Sequence, residues 1–345
     1  MEGVMAKNKW NIAVIGCSGM GKQHILGALK NEKAVLYAIC DSAPERLKPF
    51  EEEFKPEVAV TDYRELVNDP KLDAVILVVP DQLHLEMTEA FLRAGKAVLC
   101  EKPMALSLEE CEKMIAVERE TGGKLMIGQV CRFTPAFVMA KELISSGRIG
   151  ELTFVESEYA HNYTGARGYN DWRVVPERHG FIGGGCHAVD LLRWIAGDPT
   201  EVFGYANHKG LPDWPTDDTA IAVYKFPNDV MGKVFVSIGC RRNYTMRSVF
   251  YGTKGTIICD NKSEHLTLFE TDESGSHSSY TVPKLLPIKL ADHNTTGEIE
   301  MFLDALTEGK PMPVSSVEGA STVAVCVATV EATKSGVPVQ IRYPV

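Results

Sequence analysis

Six short apolar runs, separated by stretches with helical spacing, constrain the fold of the first 130 residues more than any other feature. Continuous apolar runs of this length are typical of strands buried on both faces of a parallel sheet. Between them, Leu83–Ala94 and Leu108–Glu120 each place apolar residues on one helical stripe. We therefore predict a doubly wound α/β sheet with right-handed crossovers. The six runs are Ile12–Ile15, Val35–Cys40, Val58–Val60, Ala74–Val79, Ala97–Cys100 and Leu125–Ile127.

The hydrophobic pattern changes near residue 130. After a helix that opens at Thr134 with Pro135 in its first turn, long segments alternate apolar and polar residues. Alternation indicates half-buried strands of a largely antiparallel sheet with one exposed face. The segments are Glu151–Ala160, Glu201–Asn207, Thr219–Phe226, Gly232–Ile238 and Arg247–Tyr251. Two helices, Thr296–Leu306 and Val317–Thr333, close the chain, and we predict two domains, residues 1–130 and 131–345.

Composition limits the class of function. The chain of 345 residues carries a formal net charge of −10, which disfavours binding to a nucleic-acid backbone. Its longest apolar run, Ala74–Val79, is far shorter than the roughly 20 residues of a membrane-spanning helix. The nine cysteines are scattered and form no C-x-x-C pair, so no metal site is indicated and a reducing compartment is favoured. We expect a cytoplasmic protein with neither a nucleic-acid nor a membrane partner.

A glycine-rich turn follows the first predicted strand directly. Gly16 and Gly21 hold the outer positions of a G-x-G-x-x-G pattern, while Ser18 replaces the middle glycine and Gly19 follows it. Between a strand and a helix, such a turn points backbone N–H groups at a pyrophosphate. These four residues and Met20 are therefore candidate cofactor contacts. The alternative is a tight turn that binds nothing.

Asp41 ends the second predicted strand, at the spacing of roughly 20 residues after the glycine turn that dinucleotide-binding motifs use. A carboxylate there can accept hydrogen bonds from both ribose hydroxyls of an adenosine and repels a 2′-phosphate. We therefore expect NAD rather than NADP, although Arg46 lies near enough in sequence to reach a phosphate. The alternative for Asp41 is a helix cap before Pro44.

Two further motifs carry groups that can handle protons. Lys102 follows the fifth strand, at the carboxyl edge where a doubly wound sheet binds its ligand, and can stabilise a developing alkoxide. His187 follows the glycines Gly183–Gly185 at the start of a helix, where a histidine can act as a general base near neutral pH. Asp190 shares its helix face and can orient it or bind a sugar hydroxyl. The alternatives are a solvated lysine, a core histidine and a structural aspartate.

The motifs, taken in order, resemble the Gfo/Idh/MocA oxidoreductases, the relatives of glucose–fructose oxidoreductase and inositol dehydrogenase. The resemblance runs from about Asn11 to about Ile341. It is carried by the glycine turn with His24, Val79-Pro80-Asp81-Gln-Leu-His84, Ala94-Gly95-Lys96, Glu101-Lys102-Pro103, Arg132-Phe133 with Pro135, Gly147 and Gly150, Trp172-Arg173, His187-x-x-Asp190 and Tyr251-Gly-Thr-Lys-Gly255-Thr256.

The resemblance implies an N-terminal Rossmann domain and a C-terminal α/β domain with a large, mainly antiparallel open-faced sheet. It further implies a homodimer or homotetramer formed through that sheet, a nicotinamide cofactor, and a sugar, inositol or related polyol as substrate. By the same resemblance Lys102 touches both nicotinamide and substrate, and His187 accepts the proton. The remaining implied contacts are Val79, Pro80, His84 and Glu101 along the cofactor, and Trp172 and Arg173 near its nicotinamide end.

One position departs from the pattern of that family. Inositol-dehydrogenase-like members carry an aspartate four residues before the histidine, where it helps to relay the proton, and this chain has Gly183 there. We expect NAD-dependent oxidation of a secondary hydroxyl, with Lys102 and His187 at the reacting centre. Gly183 leaves two alternatives open. One is redox-neutral glycoside hydrolysis or elimination with bound NAD, and the other is a non-catalytic NAD-linked sensor.

The long loop Asn162–Gly180 and the segment after the strand Gly232–Ile238 supply further candidate substrate contacts. Loops of this length that lack a regular pattern are often functional. The alternative for their aromatic and arginine side chains is an ordinary surface position. The candidates in the loop are Tyr163, Arg167, Tyr169, Trp172 and Arg173, and those after the strand are Arg241, Arg242 and Tyr244.

Overall fold

The computed structural model describes residues 9–270, 282–291 and 293–345. These residues form two compact units. The first takes in the described residues up to Gln129, together with Thr295–Ala320 and Pro344–Val345. The second takes in the described residues of Val130–Asn294 and Ser321–Tyr343. The chain therefore leaves the first unit twice and returns to it twice.

The first unit is built on a sheet in which every neighbouring pair of strands is parallel. Its strands are β1 (Trp10–Ile15), β2 (Ala34–Cys40), β3 (Val58–Val60), β4 (Ala74–Leu77), β5 (Ala97–Glu101) and β6 (Leu125–Gly128). They lie in the order β3-β2-β1-β4-β5-β6, so the direction of winding reverses between β1 and β4. Ligands of such sheets bind outside the carboxyl ends of the strands at this reversal. The predicted doubly wound parallel sheet is confirmed.

The helices of this part are α1 (Gly19–Leu29), α2 (Pro44–Phe54), α3 (Arg64–Val67), α4 (His84–Arg93) and α5 (Leu108–Thr121). Serine is the N-cap of two of these helices, and each serine side chain accepts a hydrogen bond from an N–H of the first turn. Ser18 caps α1 through Gly21 N at 3.2 Å, and Ser107 caps α5 through Glu110 N at 3.2 Å. Helix α5 ends at Gly122, which has a left-handed conformation with φ of 62°.

The second unit is built on a larger sheet, which within the described residues has nine strands. They are β7 (Leu152–Ala160), β8 (Glu201–Asn207), β9 (Thr219–Lys225), β10 (Met231–Ser237), β11 (Thr245–Gly252), β12 (Gly255–Asp260), β13 (His265–Glu270), β14 (Lys284–Pro287) and β15 (Val339–Gln340). Their order is β14-β13-β12-β11-β7-β10-β9-β8-β15. Only β7 and β10 pair in parallel within this sheet, so the predicted, mainly antiparallel character is confirmed.

Helices cover one face of this sheet. They include α6 (Pro135–Ser145), α7 (Gly180–Gly183) and α8 (Cys186–Ala196), and α8 packs on β7 and β10. Two further helices, α9 (Thr295–Glu308) and α10 (Ser316–Ser335), follow in the chain, and α9 packs against α1 in the first unit. Among the helices of the described ranges, none combines the length and the hydropathy that a bilayer-spanning segment needs.

Candidate functional site

The glycine turn between β1 and α1 has the shape of a phosphate-binding site. A Cβ on Gly16, whose φ is +109°, would lie 2.1 Å from the carbonyl oxygen of Val78, so only glycine fits there. A Cβ on Gly21 would lie 2.0 Å from the Gly16 carbonyl oxygen. A Cβ on Gly19, in contrast, would meet nothing within 4 Å beyond its own chain neighbours and its own helix. The turn therefore leaves room for a diphosphate before the first N–H groups of α1.

Asp41 lies beside this turn at the end of β2. Its Oδ2 accepts a hydrogen bond from Cys17 N at 2.8 Å, and its Oδ1 accepts one from Ala43 N at 3.0 Å. The Arg46 guanidinium lies 3.2 Å from Oδ2 and also donates to the Cys17 carbonyl. The carboxylate therefore braces the turn and caps the chain that enters α2, at the position where dinucleotide sites hold the adenosine ribose. The glycine turn and Asp41 together fit the nucleotide half of NAD.

His84 links the two other segments that the sequence assigns to the cofactor. Its Nδ1 lies 2.9 Å from the Pro103 carbonyl oxygen, and its Nε2 lies 3.2 Å from that of Val79. Two carbonyl acceptors need two N–H donors, so both nitrogens of the ring carry protons. Burial opposes this charge, but the Cys100 sulfur, the Asp81 carboxylate and the Pro103 carbonyl raise the pKa of His84 to about 9. His84 thus fixes Pro103, and with it the end of β5, beside Val79.

Lys102 directly follows β5, next to a buried carboxylate. Its Nζ lies 3.8 Å from Glu101 Oε2, and its backbone N–H donates to the same oxygen at 3.1 Å. Glu101 Oε1 lies 2.8 Å from His24 Nε2. Burial opposes ionisation of Glu101, but the His24 hydrogen bond and the Lys102 charge hold the pKa of Glu101 below its usual range. Lys102 is therefore an ammonium group with a fixed counter-charge.

Glu298 of α9 is a second buried carboxyl beside Glu101, and the sequence analysis did not single it out. Its carboxyl oxygens have no hydrogen-bond partner among the described residues. One carboxyl oxygen of Glu298, one of Glu101 and a ring nitrogen of His24 lie within 4.8 Å of one another. Burial raises the pKa of Glu298 well above its usual value, and the negative charge of Glu101 raises it further. The two carboxyls thus hold one negative charge, with Glu101 ionised and Glu298 protonated.

Glu298→Gln is expected to stabilise the protein increasingly as the pH rises. A carboxyl whose pKa is raised on folding keeps its proton after the unfolded chain has lost it, so stability falls as the pH rises from about 4.3 toward the folded-state pKa. Glutamine does not titrate, so within that window its advantage grows by about 1.4 kcal/mol per pH unit. Thermal unfolding between about pH 4.5 and about pH 8 measures the difference.

The matched control for this prediction is Glu300→Gln, because Glu300 lies on the same helix with an exposed side chain. Glu300→Gln should change the unfolding temperature only slightly, as surface substitutions generally do. A difference between wild type and Glu298→Gln that stays constant across the pH range would show that Glu298 is not a titrating buried acid.

His187 begins α8 and belongs to a group of six rings in the second unit, which we call the histidine–tyrosine cluster. The ring of Tyr159 stacks on His187 at 5.9 Å between centroids and 22° between planes. His293 packs against His187 at 5.5 Å, and its Nε2 lies 2.9 Å from the Tyr244 hydroxyl. The cluster consists of Tyr159, His161, Tyr163, His187, Tyr244 and His293. It therefore includes three predicted site residues (Tyr163, His187 and Tyr244).

The glycines before His187 make room for neighbouring side chains. A Cβ on Gly184 would lie 2.5 Å from the Tyr159 ring, so glycine lets that ring reach His187. A Cβ on Gly183 would lie 2.4 Å from the guanidinium carbon of Arg178. Where inositol-dehydrogenase-like sequences carry an aspartate, this chain therefore packs an arginine against the backbone.

Asp190 does not reach His187, although the two residues share one face of α8. Its carboxylate is completely buried and accepts two hydrogen bonds from the Arg132 guanidinium, both at 2.8 Å. Oδ1 also accepts a hydrogen bond from the Thr322 hydroxyl at 2.9 Å. Among the described residues, these groups are its partners, so Asp190 fastens α8 to its neighbours.

The loop before α7 holds Trp172 between two guanidinium groups. Arg173 lies 4.6 Å and Arg178 4.8 Å from the Trp172 ring. Tyr169 is exposed in the same loop, and Arg167 pairs with Asp171 at 2.8 Å. Trp172 thus stacks with two arginines of its own loop.

A cavity of about 360 Å³ opens beside the cluster. Arg241 and Arg242 lie at its rim, where Arg242 pairs with Glu158 at 2.7 Å and Arg241 donates to Thr164. Lys262 lies 5.5 Å from the Tyr244 ring. The rim is therefore rich in cationic groups. The lining residues are His161, Asn162, Arg241, Arg242, Asn243 and Tyr244.

Comparison with known proteins gives matches along most of the chain. Among curated proteins, the chain is 29% identical over 321 residues to the myo-inositol 2-dehydrogenase of Thermotoga maritima, which covers 89% of this chain and 91% of that protein. It is 28% identical over 337 residues to inositol 2-dehydrogenase 2 of Saccharopolyspora erythraea, with 96% of each covered.

Solved structures share the fold over nearly the whole chain. A levoglucosan dehydrogenase in complex with NADH superposes with a TM-score of 0.88 at 23% identity, covering 97% of this chain and 100% of that one. A probable dehydrogenase from Thermotoga maritima gives a TM-score of 0.81 at 27% identity, covering 96% and 98%.

Two family models match consecutive parts of the sequence. Residues 10–129 match the model described as the oxidoreductase family with an NAD-binding Rossmann fold. Residues 137–258 match the model of the GFO/IDH/MocA C-terminal domain. The glycine turn and Asp41 lie in the first match, and most of the histidine–tyrosine cluster lies in the second. The chain therefore belongs to the Gfo/Idh/MocA family of oxidoreductases, with an NAD-binding Rossmann domain at its N-terminus.

Proposed function

We propose that this NAD-dependent dehydrogenase oxidises a secondary hydroxyl of a sugar, inositol or related polyol, or reduces the corresponding carbonyl. The observation that carries the proposal is the histidine–tyrosine cluster, in which the candidate base His187 lies among phenol and imidazole rings. Aromatic faces and hydroxyl groups suit a ligand with many hydroxyls and an apolar ring face. The inositol dehydrogenases and the levoglucosan dehydrogenase among its relatives support this substrate class.

The proposal gives each group of candidate residues one role. Bound NAD would supply the hydride acceptor of the reaction. In the first unit, the Lys102 ammonium donates a hydrogen bond to the substrate oxygen and stabilises its growing negative charge. In the second unit, His187 accepts the hydroxyl proton. The glycine turn and Asp41 bind the nucleotide, and the His84 contacts keep the end of β5 in place.

A screen of sugars, inositols, sugar acids and glycosides with NAD tests this proposal. NADH absorbance and product mass are followed together, and the expected product lacks two hydrogen atoms and forms in step with NADH. A changed product without NADH would favour redox-neutral elimination or hydrolysis. That alternative draws its support from Gly183, where a relay carboxylate is replaced by the packed Arg178 side chain. NAD binding without turnover of any compound would favour a sensor.

We further propose that the chain forms a homodimer or homotetramer through the open face of the second sheet. Tyr205, Ile221 and Val223 lie in neighbouring rows of β8 and β9 on that face, and Val223 is 51% exposed. Met231 of β10 is 58% exposed on the same face. Exposed apolar patches of this kind are typical of subunit interfaces.

Val223→Asp is expected to reduce the mass measured in solution to that of a smaller species, because a carboxylate buried in an apolar interface without a partner is strongly disfavoured. Light scattering after size-exclusion chromatography measures the mass. Leu29→Glu places a charge at an exposed apolar position of α1 and should leave the mass unchanged. An unchanged mass for Val223→Asp would exclude this face as the interface.

A further inference from the structure

The tautomer of His187 decides whether its ring can accept a proton. A neutral imidazole carries one N–H, and only the other nitrogen has the lone pair that accepts a proton. We propose that Cys131 is a positioning residue that holds the His187 proton on Nδ1 and so leaves the lone pair on Nε2. This inference rests on the proposed function, because it concerns the residue assigned there as the base.

The sulfur of Cys131 contacts His187 at Nδ1. Cys131 lies in the short 3₁₀ segment Val130–Phe133 and is completely buried, and its Sγ is 3.2 Å from His187 Nδ1. The same Sγ is 3.3 Å from Met246 Sδ in β11. One thiol thus bridges an imidazole nitrogen and a thioether.

Counting hydrogens favours one direction for each of the two contacts. A thiol has one hydrogen, and a thioether sulfur can only accept. For both contacts to be hydrogen bonds, the thiol hydrogen of Cys131 must point to Met246, and Nδ1–H of His187 must donate to the thiol sulfur. In the opposite arrangement, with the thiol donating to Nδ1, two sulfur atoms would face each other with no hydrogen between them.

Neighbouring side chains restrict the orientation of the His187 imidazole. The Tyr159 ring stacks nearly parallel on His187, at 22° between planes, and His293 packs at 5.5 Å between centroids. These neighbours hold the plane of the imidazole, and the contact with Cys131 selects which edge of the ring faces the sulfur. A turn of the ring by half a revolution would place carbon where Nδ1 now meets the thiol.

Asp190, the carboxylate that sequence reasoning offered for this role, is not in place. Asp190 is bound by Arg132 and Thr322. The Arg178 side chain fills the space that a side chain at position 183 would need, and it donates to the Gly183 carbonyl oxygen at 3.3 Å. Catalytic histidines are generally oriented by a partner on the nitrogen that does not react. In this chain Cys131 is that partner, and its thiol is a neutral group.

Nitrogen NMR of the cofactor-free protein, labelled with ¹⁵N-histidine, tests the proposal directly. His187 signals are assigned by their loss in His187→Gln. The wild-type protein should show the Nδ1–H form, and Cys131→Ala should shift the population toward Nε2–H. With a substrate from the screen, kcat of Cys131→Ala should fall by about 10- to 100-fold with little change in KM or NADH affinity. Cys131→Ser should recover part of both effects, because a hydroxyl can also accept from Nδ1.

Cys186→Ala is the matched control, since Cys186 is an equally buried cysteine next to His187 in sequence. It should change neither the tautomer nor kcat. An Nε2–H form in the wild-type protein, or an unchanged tautomer in both Cys131 variants, would overturn the proposal. Failure of the proposed function has another signature: the tautomer depends on Cys131, yet His187→Gln retains turnover.

Discussion

His187→Gln is expected to lower kcat for the polyol substrate by about 10²- to 10⁴-fold while NADH still binds. Glutamine fills much of the same volume and forms hydrogen bonds, but it cannot take up the hydroxyl proton. NADH affinity should persist because the glycine turn and Asp41 belong to the first unit. Steady-state kinetics measure the first effect, and fluorescence titration with NADH measures the second.

Lys102→Met should act in the same direction, with a loss in kcat of about 10²- to 10³-fold, because no positive charge then meets the developing oxyanion. The control for both variants is His265→Gln in β13, where the side chain is exposed. Full turnover in His187→Gln or Lys102→Met would remove that residue from the mechanism. Retained NADH binding separates a lost catalytic group from a lost fold.

The first unit could be predicted in detail because its signals are local. Continuous apolar runs gave the six strands, and the glycine turn follows β1 at the position that its backbone requires. The predicted end of the fourth strand was wrong by two residues, since β4 ends at Leu77 and the apolar run continues to Val79. Val78 N still donates to the Ile15 carbonyl oxygen at 2.8 Å, but Val78 and Val79 are only half-buried, so apolar character alone does not mark the end of the strand.

Long-range contacts explain what the sequence could not show. Glu298 lies on an ordinary amphipathic helix, and only the return of the chain at Thr295 brings it to Glu101. His293 likewise joins His187 from a distant segment. Four strands of the second sheet, β12 to β15, were not among the predicted segments. Of these, β14 and β15 lie at the edges of the sheet and carry little alternation.

Asp190 illustrates the limit of helical spacing as a guide. Positions three apart on a helix share a face, and on that ground Asp190 was expected near His187 or a sugar hydroxyl. Helical spacing does not show which side chains from other segments contact a residue. Here the Arg132 guanidinium donates to both carboxylate oxygens of Asp190. The contact between Cys131 and His187 arises in the same way, through a segment that the helix pattern does not include.

Asp190→Asn is expected to lower the free energy of unfolding by about 3–5 kcal/mol, the second large effect that the structure predicts. The Arg132 guanidinium is nearly as buried as the carboxylate, so the variant leaves an uncompensated charge in the interior. Urea unfolding followed by tryptophan fluorescence measures the loss, because Trp194 lies 6.0 Å from the guanidinium carbon of Arg132 and reports on the same region.

Asp171→Asn is the matched control, because Asp171 also pairs with an arginine, at 2.8 Å from Arg167, but both side chains of this pair are exposed. Water and salt screen such a pair, so its loss should cost less than about 1 kcal/mol. The double variant Arg132→Met with Asp190→Leu removes both charges at similar volume and should regain most of the stability that Asp190→Asn loses. If Asp190→Asn costs no more than Asp171→Asn, the buried pair does not fasten α8, and Asp190 becomes available again as a substrate contact.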